Sequence, residues 1–181
     1  MLIAAFAAFA AVQAGAAPVP DFTFLQVSDL HAPMAQSRET LTRLPGPDVV
    51  ELSAFGTTSP KPSFVLATGD LTEFGGGSGW FAEYQSYFKD SGLPVYNVLG
   101  NHDNTWHAGI RDLRNQGTAG YYSFDRNGCH FVALMSATTQ DPRPSFGEEQ
   151  IEWLAEDLKK VGPKTPVFMF LHHSVAGRQF A

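Results

Sequence analysis

Four short apolar runs, each followed at once by polar side chains, constrain the fold of this chain most strongly. They cover residues 22–27, 64–67, 94–99 and 166–171. None of them alternates cleanly between apolar and polar residues, which is typical of strands covered on both faces, as in parallel sheets. Segments with helical spacing lie between the runs, so the order of elements indicates an α/β fold.

Two of the segments between these runs carry the apolar spacing of helices. The first begins at Trp80 and repeats aromatic residues at i+4, i+7 and i+8, with Gly92 as its predicted end. The second starts with a Glu pair at 148–149 and is stopped by Gly162-Pro163. The residues predicted to share its buried face are Ile151, Leu154, Ala155 and Leu158.

The remaining segments are a predicted hairpin and a predicted loop. Asn127-Gly128 joins residues 121–125 to residues 129–135 and is a strong signal for a β-hairpin. Residues 32–63 contain several prolines and show no firm period. We predict a loop there, with one short helix near residues 38–44.

The chain opens with an uncharged apolar run over residues 2–12, followed by Ala14-Gly15-Ala16. Such a run is too short to span a bilayer but suits the apolar part of a signal peptide with a small-residue cleavage site. We interpret residues 1–16 as a secretory signal and 17–181 as one domain; a buried N-terminal helix is the alternative. The interpretation predicts a secreted or periplasmic protein without a membrane span in the mature chain.

Charge and cysteine content exclude some classes of function. The 181 residues include 12 Lys plus Arg and 18 Asp plus Glu, a formal net charge of −6, and no basic run. Binding of nucleic acid or of an anionic membrane through the chain's own charge is therefore not expected. Cys129 is the single cysteine, which excludes an internal disulfide and a cysteine-rich metal site. The sequence gives no indication of whether the protein is a monomer or an oligomer.

Side chains that can bind a metal ion follow each of the four apolar runs. They are Asp29 and His31, then Asp70, then Asn101 and His102, and finally His172. Taken singly, each could be a turn residue or a structural histidine. Ligands of open α/β sheets bind at the carboxyl ends of strands, so these side chains would converge if the strands are neighbours. Oxygen and imidazole ligands without thiolate suit Mn, Fe or Zn.

Spacing adds detail to this expectation. Asp29 and His31 are two residues apart, which places both side chains on one side of an extended segment. A carboxylate such as Asp70 could bridge two ions. Gly69 and Gly100 would let the backbone turn sharply and approach a ligand closely.

Together, and in this order, the motifs Asp29-Leu30-His31, Gly69-Asp70, Gly100-Asn101-His102-Asp103 and His172-His173 resemble those of the calcineurin-like metallophosphoesterase family. The resemblance implies a four-layer α/β/β/α sandwich that holds two metal ions. It also implies that Asp29, His31 and Asp70 hold one ion, and that Asp70, Asn101 and His172 hold the other. His102 would contact the phosphate or protonate the leaving oxygen.

The resemblance further implies hydrolysis of a small phosphoester by a metal-bound hydroxide. Gly-Asp-Leu-Thr and Gly-Asn-His-Asp are most similar to the bacterial cyclic-nucleotide and general phosphodiesterase branch. A phosphomonoesterase and a non-catalytic metal-binding or phosphate-binding fragment are the alternatives. The family pattern ends in Gly-His-x-His, which this sequence lacks, so we expect a C-terminally truncated domain.

Overall fold

The structure, a computed structural model, describes residues 21–41, 49–52, 56–75, 77–104, 120–137 and 145–174. The predicted signal segment, residues 1–16, lies outside these ranges, so it stays a prediction together with the secreted or periplasmic location. Within the described ranges, no helix combines the length and the apolar character needed to cross a bilayer.

The described elements are short strands with helices between them. In chain order they are β1 (Leu25–Val27), α1 (Ala35–Leu41), β2 (Val49–Leu52), β3 (Thr57–Pro60), β4 (Val65–Thr68), α2 (Trp80–Ser86), a 3₁₀ turn (Lys89–Ser91), β5 (Val95–Val98), β6 (Tyr122–Arg126), β7 (Cys129–Ala133), α3 (Glu148–Leu158) and β8 (Val167–Phe170). This mixture of parallel strands and helices confirms the predicted α/β class.

The first sheet consists of three parallel strands in the order β1-β4-β5. In the central strand, Val65 pairs with Leu25 on one side and with Val95 on the other. Every residue of β4 is buried, which explains why its sequence is apolar without alternation. Because the three strands are parallel, the segments that follow them leave the sheet at the same edge.

The second sheet has the order β6-β7-β8. β6 and β7 form the hairpin predicted from Asn127-Gly128, and both turn residues have positive φ angles, 50° and 76°. Positive φ at both central residues is what a two-residue hairpin turn of type I′ requires. β8 pairs in parallel with β7, so its carboxyl end also points away from the hairpin turn.

Phenylalanine fills the space between the two sheets. Phe64, directly before β4, stacks on Phe24 at 5.2 Å between ring centroids and meets Phe131 of β7 edge to face at 5.3 Å. Phe168 of β8 lies parallel to Phe131 at 5.0 Å. Large aromatic rings bury much apolar area, so these contacts hold the sheets face to face.

The opposite face of the first sheet packs on the helical segments. Val65 and Ala67 of β4 share a buried cluster with Leu41 of α1 and Tyr84 of α2. The first sheet is therefore covered on both sides, as its apolar strands predicted. The complete four-layer sandwich stays a prediction.

The prediction for residues 32–63 was wrong in part. The short helix begins at Ala35 rather than near residue 38, and two antiparallel strands, β2 and β3, follow it. The sequence of β3, Thr57–Pro60, is polar and ends in proline, so it carries no apolar alternation that could reveal a strand. Pairing with β2, rather than local pattern, makes this segment a strand.

The predicted buried face of α3 was also wrong in part. Ile151 is 50% exposed and Ala155 is exposed, whereas Gln150 and Asp157 are buried. Leu154 and Leu158 are half-buried. The helix is therefore rotated away from the orientation that its apolar residues alone would favour.

Polar contacts explain this rotation. Met135 N donates to Gln150 Oε1 at 2.8 Å, and Gln150 Nε2 donates to Met135 O at 2.9 Å. Seven residues after Gln150, Ser123 Oγ donates to Asp157 Oδ1 at 3.0 Å, and His130 Nε2 lies 2.9 Å from Asp157 Oδ2. Contacts near both ends of α3 thus attach it to the second sheet.

β8 departs from the prediction that each apolar run is covered on both faces. Phe168 and Phe170 point to the core between the sheets, but Val167 and Met169 are 39% and 53% exposed within the described residues.

Candidate metal centre

The loops that leave β1 and β4 run side by side beyond the ends of the strands. Asp29 N donates to Gly69 O at 3.0 Å, and His31 N donates to Asp70 O at 2.9 Å. The hydrogen-bonded ladder of the first sheet thus continues into both loops. It brings Asp29 and His31, from the first loop, next to Asp70 from the second.

Asp29, His31 and Asp70 all adopt left-handed backbone conformations, with φ angles of 57°, 47° and 47°. Such angles are uncommon for residues other than glycine and cost on the order of 1–3 kcal/mol each. Surrounding contacts must offset this strain, and strained residues of this kind cluster at functional sites. Here the strained backbone conformations belong to three residues whose side chains could bind a metal.

The first group of ligand-type atoms comprises Asp29, His31 and Asp70. His31 Nε2 lies 3.9 Å from Asp29 Oδ1 and 3.7 Å from Asp70 Oδ2. The side chain of Asp70 is 6% exposed, whereas that of Asp29 is 55% exposed. One atom from each residue therefore faces a common point that is open to solvent on one side.

A second group forms around the other carboxylate oxygen of Asp70. His172 Nε2 lies 3.4 Å from Asp70 Oδ1 and 3.3 Å from Asn101 Oδ1. His172 Nδ1 lies 2.9 Å from the carbonyl oxygen of Thr68, to which it can only donate. That hydrogen bond leaves the lone pair of a neutral ring on Nε2, where it faces the two oxygens.

The choice between two adjacent histidines is visible in the structure. His173 turns away from Asp70, and its Nδ1 lies 3.0 Å from the Oγ of Ser136. The structure places His172, as the sequence analysis chose, beside Asp70 and Asn101.

The spacing of these atoms fits the predicted pair of cations. Metal–ligand bonds of about 2.1 Å place neighbouring ligand atoms roughly 3–3.5 Å apart. The 3.3 and 3.4 Å separations at His172 match this spacing, and those at His31, 3.7 and 3.9 Å, are slightly wider. Asp70 offers one oxygen to each group, so the residues present fit a dinuclear centre with oxygen and imidazole ligands.

Two glycines allow these side chains to come together. A Cβ on Gly69 would stand 2.5 Å from His172 Nδ1, and a Cβ on Gly100 would stand 2.0 Å from Asp70 Oδ1. Both distances lie well inside van der Waals contact. Any other residue at either position would displace a group of the site.

His102 lies beside both groups rather than in either. Its backbone N donates to Asp70 Oδ1 at 3.1 Å, its Nδ1 donates to the carbonyl oxygen of Glu73 at 2.8 Å, and its ring meets that of His31 at 4.8 Å between centroids. Burial lowers the pKa of His102, but the hydrogen bond to Glu73 and the charges of Asp70, Glu73 and Asp103 outweigh burial and raise this pKa.

Asp103 is buried beside the two groups, and its sequence context predicted no role for it. Its Oδ2 accepts hydrogen bonds from Leu71 N at 3.0 Å and Gly100 N at 2.8 Å, and its Oδ1 accepts from Thr72 N at 2.7 Å and Thr72 Oγ1 at 2.9 Å. Burial raises the pKa of Asp103 to about 6, against the effect of these hydrogen bonds. At neutral pH it is therefore mostly a carboxylate that ties two site loops together.

Glu73 is a second residue that sequence reasoning missed. Its Oε2 lies 2.7 Å from His31 Nδ1, and with His31 and His102 it forms another group of ligand-type atoms within 4.8 Å of one another. A glutamate three positions after Asp70 carries no local signal. Only the pairing of the two loops places it beside His31.

Curated relatives of this chain include two bacterial proteins. The chain is 29% identical over 128 residues to a probable glycerophosphodiester phosphodiesterase of Arcobacter nitrofigilis, a match that covers 63% of this chain and 42% of the relative. It is 29% identical over 126 residues to a probable cyclic nucleotide phosphodiesterase of Fibrobacter succinogenes, covering 67% of this chain and 46% of the relative. The chain thus spans less than half the length of these relatives.

The fold is also found in a solved structure, that of a dimetal phosphatase from Danio rerio. The match has a TM-score of 0.60 and covers 86% of this chain and 70% of that one, at 16% sequence identity, so it shows a shared fold. The sequence profile of the calcineurin-like phosphoesterases matches residues 22–180, most of the chain. As its motifs predicted, this chain belongs to the calcineurin-like phosphoesterase family.

Proposed function

We propose that this chain forms the metal-binding part of a hydrolase that cleaves phosphoric esters with the help of two metal ions. In this proposal Asp29, His31 and Asp70 hold one ion, and Asp70, Asn101 and His172 hold the other. The observation that carries the proposal is the position of Asp70, whose Oδ2 faces His31 while its Oδ1 faces His172. The donor set, oxygen and imidazole nitrogen without thiolate, suits Mn, Fe or Zn.

Bound metal ions would explain how an acidic chain binds an anionic phosphate ester. The chain carries a formal net charge of −6, and the carboxylates of Asp29, Asp70, Glu73 and Asp103 surround the candidate centre. These groups by themselves would repel an anionic phosphate ester. Two bound cations would neutralise its charge and make water acidic enough to supply a nucleophile at neutral pH. We therefore expect binding of phosphate esters to depend on metal.

His102 is the residue that we propose for proton transfer. Because its Nδ1 donates to the carbonyl oxygen of Glu73, the ring would give a proton to the leaving oxygen through Nε2. The hydrogen bond from its backbone N to Asp70 Oδ1 holds it beside the shared carboxylate. General acid catalysis of this kind contributes about 10²- to 10⁴-fold to a rate.

A small phosphodiester is the proposed substrate. Both bacterial relatives are named as probable phosphodiesterases, and the match to each spans about two thirds of this chain. The motifs Gly69-Asp70-Leu71-Thr72 and Gly100-Asn101-His102-Asp103 point the same way through their resemblance to that branch. The alternatives are a phosphomonoesterase and a non-catalytic module that binds metal or phosphate.

The test compares hydrolysis of bis-p-nitrophenyl phosphate with that of p-nitrophenyl phosphate, with added Mn²⁺ or Zn²⁺ and after chelation. It uses the protein as its gene encodes it, because the chain spans less than half of each relative. We expect the protein to prefer the diester and to lose activity when a chelator is added. The Asp70→Asn variant should also lose activity. Glu156→Gln is the control, since Glu156 pairs with Lys159 on the exposed side of α3.

Each other outcome selects an alternative. Preference for the monoester would favour a phosphomonoesterase. Metal binding without turnover of either ester would favour the non-catalytic module. A protein that binds neither metal would contradict the proposal at its first step.

A further inference from the structure

The two ring nitrogens of His31 lie in different surroundings. Nε2 faces Asp29 Oδ1 and Asp70 Oδ2, while Nδ1 lies on the other side of the ring, 2.7 Å from Glu73 Oε2. Nδ1 is buried and makes no well-aligned hydrogen bond to any described residue. The Glu73 carboxylate is within reach of it but lies off the axis of an N–H bond.

Imidazole chemistry says where the proton of this ring belongs. A neutral ring that gives the Nε2 lone pair to a cation carries its proton on Nδ1, and that N–H then needs an acceptor. A buried donor without an acceptor costs about 1–3 kcal/mol. The side chain of Glu73 is 44% exposed, so it has room to turn its oxygen onto the N–H axis.

Backbone contacts hold Glu73 where this is possible. Its N donates to Ala32 O at 3.1 Å, and its carbonyl oxygen accepts a hydrogen bond from His102 Nδ1 at 2.8 Å. Ala32, the residue after His31, forms a parallel bridge with Thr72, the residue before Glu73. Glu73 therefore contacts His31 through its side chain and His102 through its main chain.

Building on the proposed metal centre, we propose that Glu73 is a positioning residue for its first cation. Its carboxylate accepts a hydrogen bond from the Nδ1–H of His31, fixes the tautomer of the ring and holds Nε2 toward Asp29 and Asp70. A carboxylate partner of this kind also makes the ring a stronger ligand, and loss of such a partner typically lowers metal affinity 10- to 100-fold.

The experiment measures Mn²⁺ and Zn²⁺ affinity by competition with a chromogenic chelator. Glu73→Gln keeps a neutral acceptor, whereas Glu73→Leu removes it. The matched control is Glu83→Gln, because Glu83 is a partly exposed glutamate on α2 that pairs with Arg38. We expect a loss of 10- to 100-fold in Glu73→Leu, a smaller loss in Glu73→Gln and none in Glu83→Gln. The loss should fall on one of the two binding steps.

A second measurement distinguishes positioning from support of the fold. In the Zn²⁺-loaded protein, ¹H–¹⁵N correlation spectra of the histidine rings report which nitrogen of His31 binds metal and which carries the proton. We expect ligation through Nε2 and a proton on Nδ1 in the wild type, with the ring signal shifted in both Glu73 variants. With metal removed by a chelator, the free energy of unfolding should be equal for wild type and Glu73→Gln.

The possible failures are distinguishable. Equal metal affinity in wild type and both Glu73 variants overturns this inference and leaves the metal centre standing. Ligation through His31 Nδ1 also overturns it, because Glu73 would then be part of a different cation site with His31 and His102. A wild-type protein that binds neither metal overturns the proposed function itself.

Discussion

His130 and Asp157 join the second sheet to α3, with His130 Nε2 2.9 Å from Asp157 Oδ2. The other ring nitrogen, Nδ1, lies 2.7 Å from Asp125 Oδ1. A neutral imidazole donates through one nitrogen only, so both contacts are hydrogen bonds only when the ring is protonated. Burial lowers the pKa of His130, but the hydrogen bonds to Asp125 and Asp157 outweigh burial and raise this pKa.

We predict that His130 stabilises the protein more at acidic than at alkaline pH. Because its pKa is higher in the folded than in the unfolded chain, its contribution is complete below the unfolded value, about 6.5, and is lost as pH rises through the folded value. Urea unfolding of wild type and His130→Gln should show a difference in unfolding free energy that shrinks from about pH 5.5 to about pH 9. A difference that grows with pH would contradict the double hydrogen bond.

Replacing Gly69 should disturb the proposed metal centre more than it disturbs the fold. Gly69 has a φ angle of 95° and its Cβ would press on His172, whereas Gly92 has a φ angle of 65° with nothing within 4 Å of its Cβ. Both alanine variants carry a backbone cost of about 1–2 kcal/mol. Only Gly69→Ala should also lower metal affinity, by about 10-fold or more. Equal affinities in the two variants would show that contact with Gly69 does not position His172.

Asp103→Asn should destabilise the protein strongly. An amide keeps one acceptor oxygen and places an N–H₂ group at the other position, so two buried donors lose their acceptor, either the two of Thr72 or the backbone N–H groups of Leu71 and Gly100. At about 1–3 kcal/mol for each such donor, we expect a loss of roughly 2–5 kcal/mol in urea unfolding. The exposed Asp90→Asn serves as the control and should change stability by less than about 0.5 kcal/mol.

Two neighbouring residues of α3 test its orientation. Gln150→Leu leaves the N–H and C=O of Met135 without their side-chain partner and should cost about 1–3 kcal/mol. Ile151→Ser removes a half-exposed apolar side chain and should change stability by about 0.5 kcal/mol or less. Thermal and urea unfolding of both variants should give this order. The reverse order would mean that the helix packs through its apolar stripe.

The strands that carry the candidate ligands could be predicted from local pattern because they lie in covered, mostly parallel sheets. An apolar run without alternation identifies such a strand, and the residue that follows it necessarily lies at the carboxyl end. Neither feature depends on contacts that are distant in the chain. The local pattern was therefore sufficient to predict Asp29, Asp70, Asn101 and His172, which the structure brings to one place.

Local pattern failed where a partner determines the outcome. The strand Thr57–Pro60 exists through its pairing with β2, and the orientation of α3 follows from hydrogen bonds to Met135 and Ser123 rather than from its own leucines. In both cases the energy that selects the structure comes from a contact with another segment. A window of sequence does not contain that segment.

Chain order alone was enough to predict the α/β class and the residue types of the candidate centre, since both depend on local apolar spacing and on where strands end. Packing in three dimensions determined which atoms meet: Asp70 with His31 on one side and His172 on the other, and Glu73 with the second nitrogen of His31. These contacts depend on left-handed turns at non-glycine residues and on loops that pair side by side. Both are stabilised by neighbours far away in the chain, so no local pattern encodes them.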